Sequence, residues 1–194
     1  MDSERTIIRY DQLEPRPWKN AAGITREIAR EGSDDDWRWR VSIAEVIAEA
    51  PFSNFPGVDR VLVLLEGEGI ELDFEDGRTF EVLPPFGHIR FEGEAALIGK
   101  PKDGATRDFN LMWQRAHLDA KFEVRPLVGS LVLFASADET WILHLAAGSV
   151  RLLDSDETLS RGDTLVVGGN TRSKLRLEGS GTAFLIRLSP SIGG

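Results

Sequence analysis

The sequence predicts an all-β protein built as two barrel or sandwich units in one chain. Three observations carry this. Short alternating or fully apolar runs recur throughout and are punctuated by Gly and Pro. No segment sustains a helical apolar period; "SIAEVIAEA" comes nearest, and the alternation before it and Pro51 after it limit it to a turn. Val61–Leu72 also overlays Trp141–Leu152 in pattern, which points to an internal duplication.

Taken in order, "PRP" enters Trp18 extended, and "AAG" follows as a small-residue turn that allows close backbone approach. "ITREIAR" then alternates. Ile24, Arg26 and Ile28 fall on one side, and Thr25, Glu27 and Ala29 on the other. Lys19 and Asn20 stand just before the turn, so several donors gather at one strand entrance, as either a binding wall or an ordinary hairpin. "WRWRVSIAEV" puts Trp37, Trp39, Val41 and Ile43 on one face and Arg38, Arg40, Ser42 and Ala44 on the other.

"APFSNFPGVDR" is a stiff loop that opens into Val61–Leu65, apolar at every position and therefore buried on both faces. Arg60 shares a face with Leu62 and Leu64, and Asp59 points the other way. If that face is interior, Arg60 needs a carboxylate from the protein or from a ligand; otherwise it is a surface arginine at a strand end. Gly67, Gly69 and the Asp76-Gly77 pair mark tight turns between the next strands.

Gly99–Leu118 reads as a crossover between units, and it includes the strand-like "DFNLMWQR". Asn110 in that run needs a specific partner if it is half-buried, or else caps an edge. The later half repeats strand, Gly-marked turn and strand up to Leu152, then "RGD" into Thr164–Val167 and a final hairpin around Gly179–Gly181. Two units follow: residues 1–118, with the N-terminal strands and the crossover, and residues 119–194.

Composition excludes several functions. With 32 acidic and 23 basic side chains the net charge is −9, which disfavours nucleic acid and anionic membrane as partners. Cysteine is absent, so thiolate catalysis and thiolate metal sites are too. His88, His117 and His144 are far apart, with no HxH pair, and no Ser sits in a GxSxG elbow. Acidic pairs such as Asp34 and Asp36 fall in polar loops. No cofactor or metal is expected. The opening residues lack an apolar signal core and no run is long enough to span a membrane, so the expected location is the cytoplasm.

"WKNAAGITREIA", "WRWRVSIAEV", "PFSNFPGVDRVLVLLEGEG" and "DFNLMWQR", in this order, resemble the HutD/Ves family of bicupins. The resemblance covers most of Pro17–Arg115, and the second half agrees in pattern only. It implies two cupin-like barrels without metal-binding histidines. It also implies a regulatory, non-enzymatic role in bacterial histidine utilisation, and a pocket for a small carboxylate such as formylglutamate, urocanate or formate. By motif, Trp18, Lys19, Asn20, Gly23, Thr25, Arg26 and Glu27 match the first block, and Arg40 and Ser42 the second. Phe52, Ser53, Phe55, Gly57, Asp59 and Arg60 match the third, and Asp108, Phe109 and Asn110 the fourth. Where the family continues "WKN" with glycines, this chain has Ala21 and Ala22.

The expected ligand-binding residues are Lys19, Asn20, Thr25, Arg26, Ser42, Arg60 and Asn110, with Arg60 as the anchor for a small carboxylate ligand. Two alternatives stand beside this reading. One is a metal-independent enzyme on a cupin barrel with Lys19 or Glu27 as acid or base; the other is a structural or protein-interaction module. A homodimer is left open.

Overall fold

The computed structural model describes residues 4–168 and 172–191. In chain order the strands are β1 (Glu4–Ile8), β2 (Pro15–Pro17), β3 (Gly23–Gly32), β4 (Trp37–Val46), β5 (Ala50–Pro51), β6 (Val58–Glu66), β7 (Ile70–Phe74) and β8 (Thr79–Val82). They continue as β9 (His88–Glu92), β10 (Leu97–Pro101), β11 (Thr106–Gln114), β12 (Leu118–Ala135), β13 (Thr140–Leu152), β14 (Thr158–Ser160), β15 (Thr164–Gly168) and β16 (Ser173–Pro190). The helical content among the described residues is one 3-10 turn, Tyr10–Gln12. The chain is all-β, as the short alternating runs predict.

It divides into two compact units, Leu13–His117 and a second formed by Met1–Gln12 with Leu118–Gly194. The expected first unit, residues 1–118, is therefore corrected at its start. Strand β1 hydrogen-bonds antiparallel to β15, with Ile8 opposite Thr164, so the opening residues belong with the C-terminal half. The pairing is non-local, and nothing in the local pattern of β1 announces it.

Within Leu13–His117, a six-stranded sheet runs β2-β3-β4-β11-β6-β9 and a four-stranded sheet runs β5-β10-β7-β8. Their apolar side chains meet in a cluster that includes Leu62, Leu64, Ile70, Leu72 and Phe74. The run from Arg60 to Leu72 feeds both sheets, because the tight turn through Gly67 and Gly69, both with positive φ, lets the chain leave one sheet for the other. The expected crossover Gly99–Leu118 is not one: Gly99 lies in β10, and β11 is a central strand between β4 and β6. The run "DFNLMW" is buried at every position, as a central strand covered on both faces requires.

In the other unit, the sheet order is β1-β15-β13-β16-β12, with β14 on β13. The expected turn at Gly148 and the expected hairpin at Gly179–Gly181 are both absent. Each falls inside a continuous strand, β13 and β16, which run side by side with a register shift between Leu145 and Ala147. Gly148 pairs Gly181 and Gly129 pairs Gly179. A Cβ on Gly181 would collide with the Ala147 carbonyl, so these glycines serve close strand approach at a bulge rather than reversal. The two halves thus differ at the matched segments: Val61–Leu72 spans two strands in two sheets, and Trp141–Leu152 lies in one bulged strand.

Candidate functional site

The six-stranded sheet brings three strands into register beneath a cavity of about 530 Å³. Met112 on β11 lies opposite Arg40 on β4 and Arg60 on β6; Asn110 lies opposite Ser42 and Leu62; Asp108 lies opposite Ala44 and Leu64. Period-two alternation puts these nine side chains on one face. The result is three rows across the strands, cationic, neutral and acidic, that follow one another along them. Strand β3 adds Thr25 beside Ala44, and the loops before β3 and β6 add Trp18, Lys19, Asn20, Phe52 and Phe55.

Arg60 is buried, at 7% exposure. Its Nη1 donates to the Ser53 carbonyl and its Nη2 to Asn110 Oδ1, both at a long 3.4 Å, and its buried Nε donates to nothing. Among the described residues no carboxylate pairs with it. The guanidinium lies over Phe52, Phe55 and Phe91 at 5.3, 5.6 and 5.0 Å from the ring centroids. Burial, and then the charge of Arg40, push its pKa down to about 10. Asp59 points away, as alternation predicts, and pairs with Arg90 and Arg115 at 2.5 and 2.7 Å.

Arg40 shares the Phe55 ring with Arg60 and also covers Trp37, at 5.7 and 5.4 Å. Its Nη2 donates to the weak Met112 sulfur at 3.5 Å, its Nε is buried without a partner, and burial lowers its pKa, partly opposed by the charge of Glu27. The two guanidinium groups repel each other, and among the described residues neither makes an ion pair with a carboxylate, although the charge of Glu27 acts on Arg40.

Asp108 is fully buried at the other end. Its Oδ2 accepts from Thr106 Oγ1 at 3.1 Å, and its Oδ1 is buried without a partner. Burial pushes its carboxyl up to about 7, partly opposed by the Thr106 hydrogen bond.

At the rim, Trp18 Nε1 donates to Thr25 Oγ1 at 2.7 Å, and Asn20 Oδ1 accepts from Ala22 N at 3.1 Å. Gly23 permits this wall: a Cβ there would lie 2.9 Å from the Trp18 ring. Ala21 sits at φ 57°, the left-handed region that favours glycine. Ala21→Gly should therefore stabilise the protein by about 1 kcal/mol, read as a rise in unfolding midpoint.

Of the expected site residues, Lys19, Asn20, Thr25, Ser42, Arg60 and Asn110 line this one cavity. Arg26 does not. It lies opposite Ile43, on the face away from Thr25, and its Nη1 is 3.6 Å from Glu45. Strict alternation forbids Thr25 and Arg26 from facing the same space. Arg40 and Asp108 line the cavity without having been singled out as binders. Alternation already put Arg40 with Ser42, and Asp108 is two residues from Asn110, so the signal was present but needed the cross-strand register.

The described residues contain no group of three metal-ligating side chains. His144 is buried in the other unit with Nδ1 2.9 Å from Thr164 Oγ1, and burial holds its pKa at about 3. No described helix is long and apolar enough to cross a membrane.

Comparison with known proteins places this arrangement in a family. An uncharacterized 21.2 kDa protein from the hutC 3' region of Pseudomonas putida is 33% identical over 96% of this chain and 98% of its own length. Protein Ves of Escherichia fergusonii is 37% identical over 55% of this chain and 56% of its own. The structure of HutD from Pseudomonas fluorescens SBW25, in a formate condition, superposes with a TM-score of 0.84 at 29% identity, covering 96% of this chain and 99% of that one. A bacterial pirin from Escherichia coli, solved with nickel(II), shares the cupin-like fold at a TM-score of 0.69 and 10% identity. The HutD family profile matches residues 10–185, and the chain belongs to the HutD family.

Proposed function

We propose that this protein is a non-enzymatic binder of a small carboxylate, acting as a cytoplasmic regulator linked to histidine utilisation. Its two all-β units are read as the barrels of a bicupin. The observation that carries the reading is Arg60, a buried guanidinium with a free Nε, no carboxylate partner among the described residues, and a cavity beside it. Such a charge is costly unless something outside the protein pairs with it. A structural role would instead call for a protein carboxylate on Arg60 and no cavity.

A ligand carboxylate meets Arg60 and Arg40 by charge-assisted hydrogen bonds, and the Asn110 amide and the Ser42 and Thr25 hydroxyls orient the rest. Lys19 and Asn20, exposed at the rim, are the entrance. Formate, formylglutamate and urocanate are the candidates. Formate appears in the condition of the related HutD structure, and the relative in the hutC 3' region supports the pathway link.

Calorimetric titration of the purified protein with these three acids tests the reading. Saturable binding is expected, weakened at least about a hundredfold by Arg60→Ala, as for loss of two charge-assisted hydrogen bonds. Equal binding by wild type and variant overturns the assignment. Turnover of any of the acids would favour the enzyme reading.

A further inference from the structure

The cavity has a second end that the carboxylate reading does not use. We infer that the site takes a bipolar ligand, with a carboxylate held by Arg40 and Arg60 and an N–H donor held by Asp108. This rests on the carboxylate reading above and specifies the other half of the ligand.

The cationic row is centred on Met112 and the acidic row on Asp108, four residues along the same strand. At roughly 3.3 Å per residue the two rows stand about 13 Å apart at the backbone. The side chains reach into the interval, which leaves room for a small molecule spanning the two. A formate ion occupies only one end of a 530 Å³ cavity.

The second step is the unsatisfied chemistry at Asp108. One carboxyl oxygen accepts from Thr106, and the other is buried with no donor. Buried acceptors without partners are rare, because each costs free energy. No cation pairs with Asp108 among the described residues. A ligand N–H supplies the missing donor and favours the ionised carboxylate, which burial alone holds back. A second negative group at this end would be repelled, so the gradient from arginines to aspartate also fixes the ligand's direction.

The neutral row completes the picture. Ser42 and Asn110 lie between the two ends and offer hydrogen bonds without charge. A monocarboxylate lacking a donor would leave the Asp108 oxygen unpaired, and a site built to hydrogen-bond one group discriminates strongly against the analogue that lacks it.

The test uses matched acids and the intact chain. Urocanate, which carries a ring N–H, is compared with cinnamate, which does not, and 3-(imidazol-4-yl)propionate with 3-phenylpropionate. In wild type, the N–H member of each pair should bind at least about tenfold more tightly by calorimetry. Asp108→Leu should bring the members of each pair to within about twofold, through loss of the weaker partner's handicap rather than of the pocket. Asp108→Asn, which keeps the shape and a neutral acceptor, should retain a reduced preference and covers the case in which the leucine variant does not fold. Arg60→Ala should weaken both members of a pair alike.

Equal binding within the pairs by wild type, or a full preference surviving in both Asp108 variants, overturns the inference and leaves the carboxylate reading intact. Arg60→Ala without effect on either member overturns the carboxylate reading and this one with it.

Discussion

Arg60→Met raises the stability of the ligand-free protein while abolishing its carboxylate binding. Methionine keeps the apolar stem packed on Phe52, Phe55 and Phe91 and removes a buried charge that no protein carboxylate neutralises. Replacing buried ionic groups by well-packed apolar ones is often stabilising by about 1–4 kcal/mol. Loss of the guanidinium stacking, about 0.5–2 kcal/mol, offsets part of this, so a net gain of about 1 kcal/mol is expected. The sign is what matters. If Arg60 served the barrel's own packing, its removal would lower the unfolding midpoint. A binding group held unpaired in the apo state gives the opposite, the trade of stability for function that marks working sites. Chemical denaturation of both proteins, with the calorimetric titration alongside, separates the two.

Asp108→Asn has a stability effect that depends on pH. The carboxyl is raised from its ordinary 3.8 to about 7 by burial, so the folded state holds a proton that the unfolded chain releases. The contribution of Asp108 is complete below about pH 4, is lost as pH rises, and reaches its full penalty above about pH 7. That penalty is on the order of a few kcal/mol. Asparagine carries no such term and keeps a partner for Thr106. The variant should therefore gain on wild type from about pH 4.5 to about pH 7 and hold that gain above it, by denaturation at each pH. A difference constant across that range would contradict the burial argument. His144 acts in the opposite direction in the other unit: with its pKa held at about 3, the folded state loses stability as pH falls from about 6.5 toward 3.

What the chain's own pattern made legible was local. Alternation in "WRWRVSIAEV" separated Arg40, Ser42 and Ala44 from the tryptophans, and alternation in "DRVLVLL" put Arg60 on the face of Leu62 and Leu64 and Asp59 on the other, where it pairs with Arg90 and Arg115; that the first face is the inner one came only from the structure. The small-residue turn at "AAG" was readable as close approach, and Gly23 against Trp18 is that approach. What was not legible depends on register between distant strands. Nothing near Asp108 indicates that it lies opposite Leu64, two rows from Arg60, or that Arg40 and Arg60 flank Met112. The misread hairpin at Gly179–Gly181 has a related cause, since glycine marks a turn and a bulge equally and only the partner strand decides. Arg26 was grouped with its motif neighbours against its own alternation, which places it with Ile43 and Glu45 outside the cavity.

The central claim is that Arg60 is a ligand's anchor. A crystal structure of the protein grown with N-formylglutamate or urocanate tests it most directly. The account predicts a carboxylate with its oxygens within hydrogen-bonding distance of the Arg60 guanidinium and Arg40 alongside. A carboxylate bound elsewhere, or an Arg60 side chain swung onto a protein carboxylate with the cavity closed, would contradict it.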